Sequence, residues 1–171
     1  MSQLLKFSAE QMLPCRVEDA FGFFANPANL PHLMPAWQRA RIEEAILAAP
    51  PRMDGKRLPG AVAGDGSRIT ISFRPLPYLP IRFRWEALIQ DFSWDQGFCD
   101  LQLHGPFMFW RHCHTLTSAN GGSACVLRDE ISYELPFGPL SSTADLLAVR
   151  RLLHSMFRYR HKRTLELLSR R

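Results

Sequence analysis

Alternating apolar and polar positions dominate the middle of the chain. The clearest example is segment 81–90, where every second residue from Ile81 to Ile89 is apolar and most residues between them are polar. Period-two alternation is typical of a strand with one buried and one wet face. Similar patterns predict further strands at 4–12, 37–47, 67–74, 98–103, 108–117 and 125–135.

Helical spacing appears at two places. After the first strand, Val17, Phe21 and Phe24 recur behind Glu18 and Asp19, and a second turn or helix follows at 29–34. These patterns predict two short helices. At the other end, a stripe of the same period predicts a closing helix of about 25 residues. Its members are Leu146, Val149, Leu153, Met156, Phe157, Arg160, Thr164 and Leu167.

The connections between elements indicate how the strands pair. Segment 48–66 contains three prolines and four glycines, which predicts a loop, whereas the turns near 104–106 and 119–122 are short. Short turns join antiparallel neighbouring strands. One long helix is available to cover the apolar face of a sheet whose other face is solvated. We therefore predict an α+β fold in one domain, 1–171, in which an antiparallel sheet grips the C-terminal helix.

Composition and charge narrow the function classes. No apolar run is long enough for a membrane span and no targeting segment is recognisable, so we expect a cytoplasmic protein. The formal net charge of +5 is concentrated after Leu146, where eight basic residues accompany one acidic residue. A solvated helix face explains this pattern, and a docking surface for anionic lipid or nucleic acid is the alternative. Without a nucleic-acid motif we do not expect a nucleic-acid partner, and we expect at most transient membrane contact.

Four cysteines show no spacing typical of a metal or redox motif. Antiparallel pairing can set Cys99 opposite Cys113 on the outer face of the sheet. Because free thiols are the default in a reducing compartment, we expect a packed thiol pair rather than a disulfide.

Parity along the last two predicted strands places a carboxylate on the apolar face. Trp110, His112 and His114 share one side of segment 108–117, and Asp129 shares the apolar side of segment 125–135. A hairpin closed near 119–122 sets Asp129 beside His112 in one register and beside His114 in the other. Both registers stay open at this point.

The preceding strand adds Asp100 and Gln102 to this polar patch, among the aromatic residues Trp85, Phe98, Trp110 and Tyr133. Buried polar groups need partners, so a satisfied internal network and a ligand pocket are competing explanations. A metal site on His112 and His114 with Asp129 is a third, but an isolated pair at this spacing is a weak signal. We predict no metal and no cofactor.

Arg160 lies on the apolar stripe of the predicted C-terminal helix. Its guanidinium needs Asp100 or Asp129 as a partner, unless the guanidinium reaches water.

Four motifs carry a resemblance to a known superfamily. They are Phe98-x-Asp100-x-Gln102-x-x-Gly105-Pro106-Phe107, Trp110-x-His112-x-His114, Asp129-x-x-x-Tyr133-x-x-Pro136-x-Gly138 and Phe157-x-Tyr159-Arg160. With them the chain resembles the SRPBCC proteins, the START-related and birch-pollen-allergen-like superfamily. The resemblance implies a helix-grip fold with a deep hydrophobic cavity, and no universal catalytic residue.

Three functions follow as hypotheses. The first is binding of a small hydrophobic molecule such as a lipid, an isoprenoid or a polyketide. The second is a cyclase or dehydratase in which His112 or His114, oriented by Asp129, moves a proton. The third is an adaptor whose basic C-terminal helix binds acidic partners. The predicted ligand-binding residues are Phe21, Phe24, Trp85, Phe98, Asp100, Gln102, Trp110, Tyr133, Phe157 and Arg160.

Overall fold

A computed structural model describes residues 4–52, 60–78, 80–136, 143 and 148–169. Seven strands form one curved antiparallel sheet in the order β1-β7-β6-β5-β4-β3-β2. The strands are β1 (Leu5–Leu13), β2 (Arg41–Ile46), β3 (Arg68–Phe73), β4 (Phe83–Ser93), β5 (Gly97–His104), β6 (Phe109–Ala119) and β7 (Ala124–Glu134). In the described part of the chain the α-helices are α1 (Val17–Phe24) and α2 (Arg150–Leu168), and 3₁₀ turns lie at Pro27–Leu33, Ala36–Gln38 and Asn120–Gly122.

Helix α1 follows the predicted pattern closely. Glu18 and Asp19 occupy its first turn, where the positive end of the helix dipole favours acidic side chains. The Asn26 side chain then accepts a hydrogen bond from the Ala28 amide at 3.0 Å and starts the next 3₁₀ helix. Two short helical segments after the first strand are thereby confirmed.

Helix α2 is amphipathic and packs on the sheet. Leu153, Phe157 and Thr164 are its buried residues, while Arg151 and Arg158 on the opposite face are exposed. Within the described residues the helix spans 19 residues. Leu146 of the predicted stripe and Gly138 of the motif lie outside the described residues. Among the described helices, none combines the length and the apolar character that crossing a bilayer requires.

The buried residues form two groups on the same side of the sheet. One group centres on α1, with Phe21 and Phe23, and the other lies beneath α2, with Phe7 and Phe157. Trp85 of β4 packs against both. Between the two groups the sheet and α2 enclose a cavity.

Two predictions from the sequence are wrong in detail. Cys99 and Cys113 face each other as predicted, but they form a disulfide bond, so a packed thiol pair is not what the structure contains. Strand β2 begins at Arg41 because the chain after Pro35 forms a 3₁₀ turn and Arg39 adopts a left-handed conformation with φ 46°. Trp37 therefore lies outside the strand.

Candidate functional site

The cavity between the sheet and α2 has a volume of about 300 Å³. Apolar side chains form most of its wall, and they come from α1, the first 3₁₀ turn, strands β3 to β6 and α2. The polar side chains on the wall are concentrated at β5, β6 and α2, where Asp100, His112, His114 and Arg160 converge. The cavity therefore has an apolar body and one charged end.

Most of the predicted site residues lie on this wall. Those that line the cavity are Phe24, Trp85, Phe98, Asp100, Trp110, His112, His114 and Arg160. Those that lie behind it are Phe21, Gln102, Asp129, Tyr133 and Phe157.

The residues behind the wall support those on it. Phe21 is fully buried and makes an edge contact with Phe98, with ring centroids 6.3 Å apart. Tyr133 is also fully buried and packs beneath Trp110 at 6.0 Å. Phe157 makes an edge contact with His112 at 5.8 Å. These aromatic rings fix the positions of side chains that do face the cavity.

Gln102 has a structural role in the β5–β6 turn. Its side-chain amide donates a hydrogen bond to the Phe107 carbonyl oxygen at 2.8 Å. A Cβ atom at Gly105 would collide with the Gln102 side chain and displace it from this hydrogen bond. The Phe107 ring, held by this turn, lines the cavity.

Strand register brings the histidines and carboxylates together. His114 pairs with Asp129 across β6 and β7, and Asp100 pairs with His112 across β5 and β6. This is the second of the two predicted hairpin registers. The turn that sets it has positive φ at Asn120 (50°) and Gly121 (66°), as tight hairpins require.

The resulting cluster is buried and closely spaced. His112 Nε2 donates a hydrogen bond to Asp129 Oδ1 at 2.9 Å, and His112 Nδ1 lies 3.4 Å from Asp100 Oδ2. His114 Nδ1 lies 2.6 Å from the same Asp129 oxygen, although the angle falls outside hydrogen-bond geometry. His114 Nε2 lies 3.9 Å from Asp100 Oδ2. Asp129, behind the cavity wall, thus contacts both imidazoles, and Asp100, on the wall, faces both.

The environment separates the pKa values of the two histidines. Burial alone would lower the pKa of His112, but hydrogen bonds and charge interactions with Asp100 and Asp129 outweigh burial and raise it. Burial and the neighbouring His112 lower the pKa of His114 to about 4. Burial opposes ionisation of Asp129, yet the two histidines hold the pKa of that carboxyl well below its usual range. The cluster therefore holds two imidazoles whose pKa values are shifted in opposite directions, next to two carboxylates.

Arg160 approaches this cluster from α2. Its guanidinium lies 5.9 Å from the ring centroid of Phe24 and 5.8 Å from that of Phe157, within cation–π range. Within the described part of the chain it makes no ion pair, and its Nε is buried without a hydrogen-bond partner. The predicted partnership with Asp100 or Asp129 is therefore an electrostatic interaction at longer range, which lowers the pKa of Asp100 together with the histidines.

Sequence reasoning missed part of the wall. Ile69 and Ile71 of β3 line the cavity, as do Leu33 and Met34 after α1. The alternation at 67–74 contained a signal for the two isoleucines, because it places them on the same inward face. The residues of the 3₁₀ turn carried no such signal, since their position depends on tertiary packing.

Known structures share this architecture over nearly the whole chain. Norcoclaurine synthase from Thalictrum flavum, in complex with dopamine and hydroxybenzaldehyde, is 14% identical, with 96% of this chain and 88% of that chain covered and a TM-score of 0.58. Protein CV1439 from Chromobacterium violaceum is 12% identical, with 95% and 96% covered and a TM-score of 0.65. A START superfamily protein from Mycobacterium smegmatis is 12% identical, with 95% and 98% covered and a TM-score of 0.61.

No family model matches the chain, and no curated protein matches it in sequence. Identities this low show a shared fold. The chain therefore has the helix-grip fold of the START-related and birch-pollen-allergen-like proteins. The resemblance to the SRPBCC superfamily that the motifs indicated is confirmed at the level of fold.

Proposed function

We propose that the protein binds a small hydrophobic molecule, of lipid, isoprenoid or polyketide type, in the cavity between the sheet and α2. The observation that carries this proposal is the cavity itself, whose wall is mainly apolar and whose charged groups converge at one end. Small-molecule sites are generally built in this way, with an apolar body and a few polar groups that fix orientation.

The wall favours one orientation of the ligand. Ile71, Trp85 and Leu153 offer apolar and aromatic surface to the body of the ligand. The guanidinium of Arg160 offers hydrogen-bond donors to a polar group at the other end. A volume of about 300 Å³ fits a compact ligand better than a long acyl chain. Norcoclaurine synthase, which shares the fold, is known in complex with two small aromatic molecules, dopamine and hydroxybenzaldehyde.

A fluorescence titration with 1-anilinonaphthalene-8-sulfonate tests the proposal, because this probe combines an apolar ring system with an anionic group. The wild-type chain should bind about one probe molecule and should unfold at a higher temperature when the probe is present. Ala87→Trp adds a large side chain on the cavity wall and should weaken binding at least tenfold. Ala87 faces the cavity from β4.

Thr115→Trp is the matched control, since Thr115 lies on the exposed outer face of β6. It adds the same side chain outside the cavity and should leave probe affinity within about twofold. Equal affinities for the two variants would contradict the proposal. Native mass spectrometry of the purified chain should in addition detect a co-purified small molecule.

The two other functions stay predictions. A cyclase or dehydratase that uses His112 or His114 requires a demonstrated turnover, and the comparisons concern the fold. An adaptor role of the basic helix rests on the exposed positive face of α2.

A further inference from the structure

The charged end of the cavity has the donor set of a metal site. One donor atom from each of Asp100, His112 and His114 lies within 4.8 Å of the other two. Asp100 Oδ2 lies 3.4 Å from His112 Nδ1 and 3.9 Å from His114 Nε2. Ligands at bond lengths of about 2.0–2.1 Å around tetrahedral Zn²⁺ are about 3.4 Å apart. A small contraction of the three side chains therefore gives coordination distances.

Asp129 supports the same two histidines from the opposite side. Its Oδ1 lies 2.9 Å from His112 Nε2 and 2.6 Å from His114 Nδ1. A negative carboxylate oxygen repels a lone pair on a nearby ring nitrogen, so Asp129 favours protons on these two nitrogens and lone pairs on His112 Nδ1 and His114 Nε2. Those are the nitrogens that face Asp100. Metal-binding histidines usually have such a carboxylate partner on the other ring nitrogen.

On the Asp129 side of the cluster, two buried polar atoms lack a well-aligned partner. His114 is 4% exposed and its Nδ1 has no well-aligned hydrogen bond, and Asp129 Oδ2 is buried without a partner. Two carboxylates beside an apolar cavity also carry two negative charges that favour a divalent cation. Arg160 and His161 of α2 face the cluster as well, and the positive charge of Arg160 opposes cation binding.

We propose that Asp100, His112 and His114 bind a divalent transition-metal ion, with Zn²⁺ as the best match to two nitrogens and one oxygen, and that Asp129 is a positioning residue for the two histidines. Any further coordination position faces the cavity, because the three ligands line it. The sequence suggested Asp129 as the third ligand and no metal was predicted; the structure places Asp100 there. The inference does not depend on the hydrophobic ligand, since metal binding is measured without one.

Calorimetric titration of the untagged, metal-free full chain with Zn²⁺ tests the proposal. It should show one ion per chain. Asp100→Asn and His114→Gln should weaken affinity at least 100-fold, and Asp129→Asn should weaken it about 10- to 100-fold. The controls are Asp91→Asn and His104→Gln, which change exposed residues of β4 and β5 and should stay within about twofold.

Titration with Co²⁺ distinguishes this site from the free thiols Cys15 and Cys125. The expected spectrum has d–d bands of a nitrogen and oxygen site and no thiolate charge-transfer band. A thiolate band, an absence of stoichiometric Zn²⁺ binding, or Zn²⁺ binding that survives Asp100→Asn would overturn the proposal. Circular dichroism and melting curves report whether each variant folds.

Arg160→Gln gives a test that does not require removing a ligand. The change removes the positive charge that faces the cluster, so Zn²⁺ affinity should rise about threefold or more. Unchanged or weaker affinity in a folded Arg160→Gln protein would contradict the location of the site, even if every ligand variant failed to fold.

Discussion

At the scale of single residues, Asp129 is the centre of the candidate site. It is fully buried, yet it contacts both inward histidines of β6 through one oxygen. Removing one member of a buried charged pair leaves the other without a partner, and this usually costs more than the pair contributes. Much of the order at the charged end of the cavity therefore depends on this carboxylate.

Asp129→Ala should lower the free energy of unfolding by about 3–5 kcal/mol, because His112 would lose a buried hydrogen bond and a charge partner. Urea denaturation measures the change. Glu130→Ala is the control, since Glu130 lies exposed on the outer face of the same strand and should cost less than about 1 kcal/mol. A cost for Asp129→Ala no greater than that of the control would contradict the role given to this residue.

The thiol of Cys125 should be unreactive in the folded protein. The side chain is fully buried, with 0% relative exposure. Burial, together with the neighbouring Cys15, raises the pKa of the Cys125 thiol to about 12. Because the thiolate is the nucleophile, alkylation by iodoacetamide at pH 8 should be about 1000-fold slower than in the unfolded chain. Mass spectrometry after timed quenching measures the rates. Comparable rates in the folded and unfolded chain would show that Cys125 is accessible.

Parity along a strand was enough to predict the inward residues. The alternation placed Asp129, His112 and His114 on the buried face, and the structure agrees. The alternation did not distinguish the two hairpin registers, because in both of them the same side chains point to the buried face. The helix residues Phe21 and Phe157 were predicted to bind the ligand, whereas tertiary packing puts them one layer behind the cavity wall.

At the scale of secondary structure, the disulfide between β5 and β6 is the main departure from expectation. It joins Cys99 and Cys113 across neighbouring strands, with a sequence separation of 14. Closing a loop of this length reduces the entropy of the unfolded chain and stabilises the fold by about 3 kcal/mol. The register was predictable, whereas the bond also depends on the redox conditions.

Reduction of this disulfide should therefore lower the free energy of unfolding by about 3 kcal/mol. Urea denaturation with and without dithiothreitol measures the effect, and intact mass should rise by about 2 Da on reduction. A variant with Cys99→Ala and Cys113→Ala should show no response to the reductant. If the wild-type chain also showed none, and its mass did not change, the disulfide would be absent.

Elements with strong periodicity were predicted well, and those set by tertiary contacts were not. The segment 81–90 forms the core of β4, and the stripe after Leu146 corresponds to α2. The start of β2 was predicted too early, since the 3₁₀ turn at Ala36–Gln38 follows from Pro35 and from packing around Gln38, which is 2% exposed.

At the scale of the whole molecule, the sheet and α2 pack through two groups of buried residues and leave a hollow between them. A hollow of about 300 Å³ is larger than the voids that most protein cores contain. The sequence implied it only through the resemblance to a fold that carries a cavity. Hydrophobic periodicity shows which residues face inward, but it does not show whether the side chains of the sheet and the helix fill the space between them.

Xenon binding reports directly on the cavity, because xenon enters apolar cavities without needing polar partners. A crystal of the full chain under xenon pressure should show xenon density between β4 and α2, in contact with Ile71, Trp85 or Leu153. Ala87→Trp should displace that density, and Thr115→Trp should not. An interior filled by side chains, with no xenon between the sheet and α2, would contradict the account.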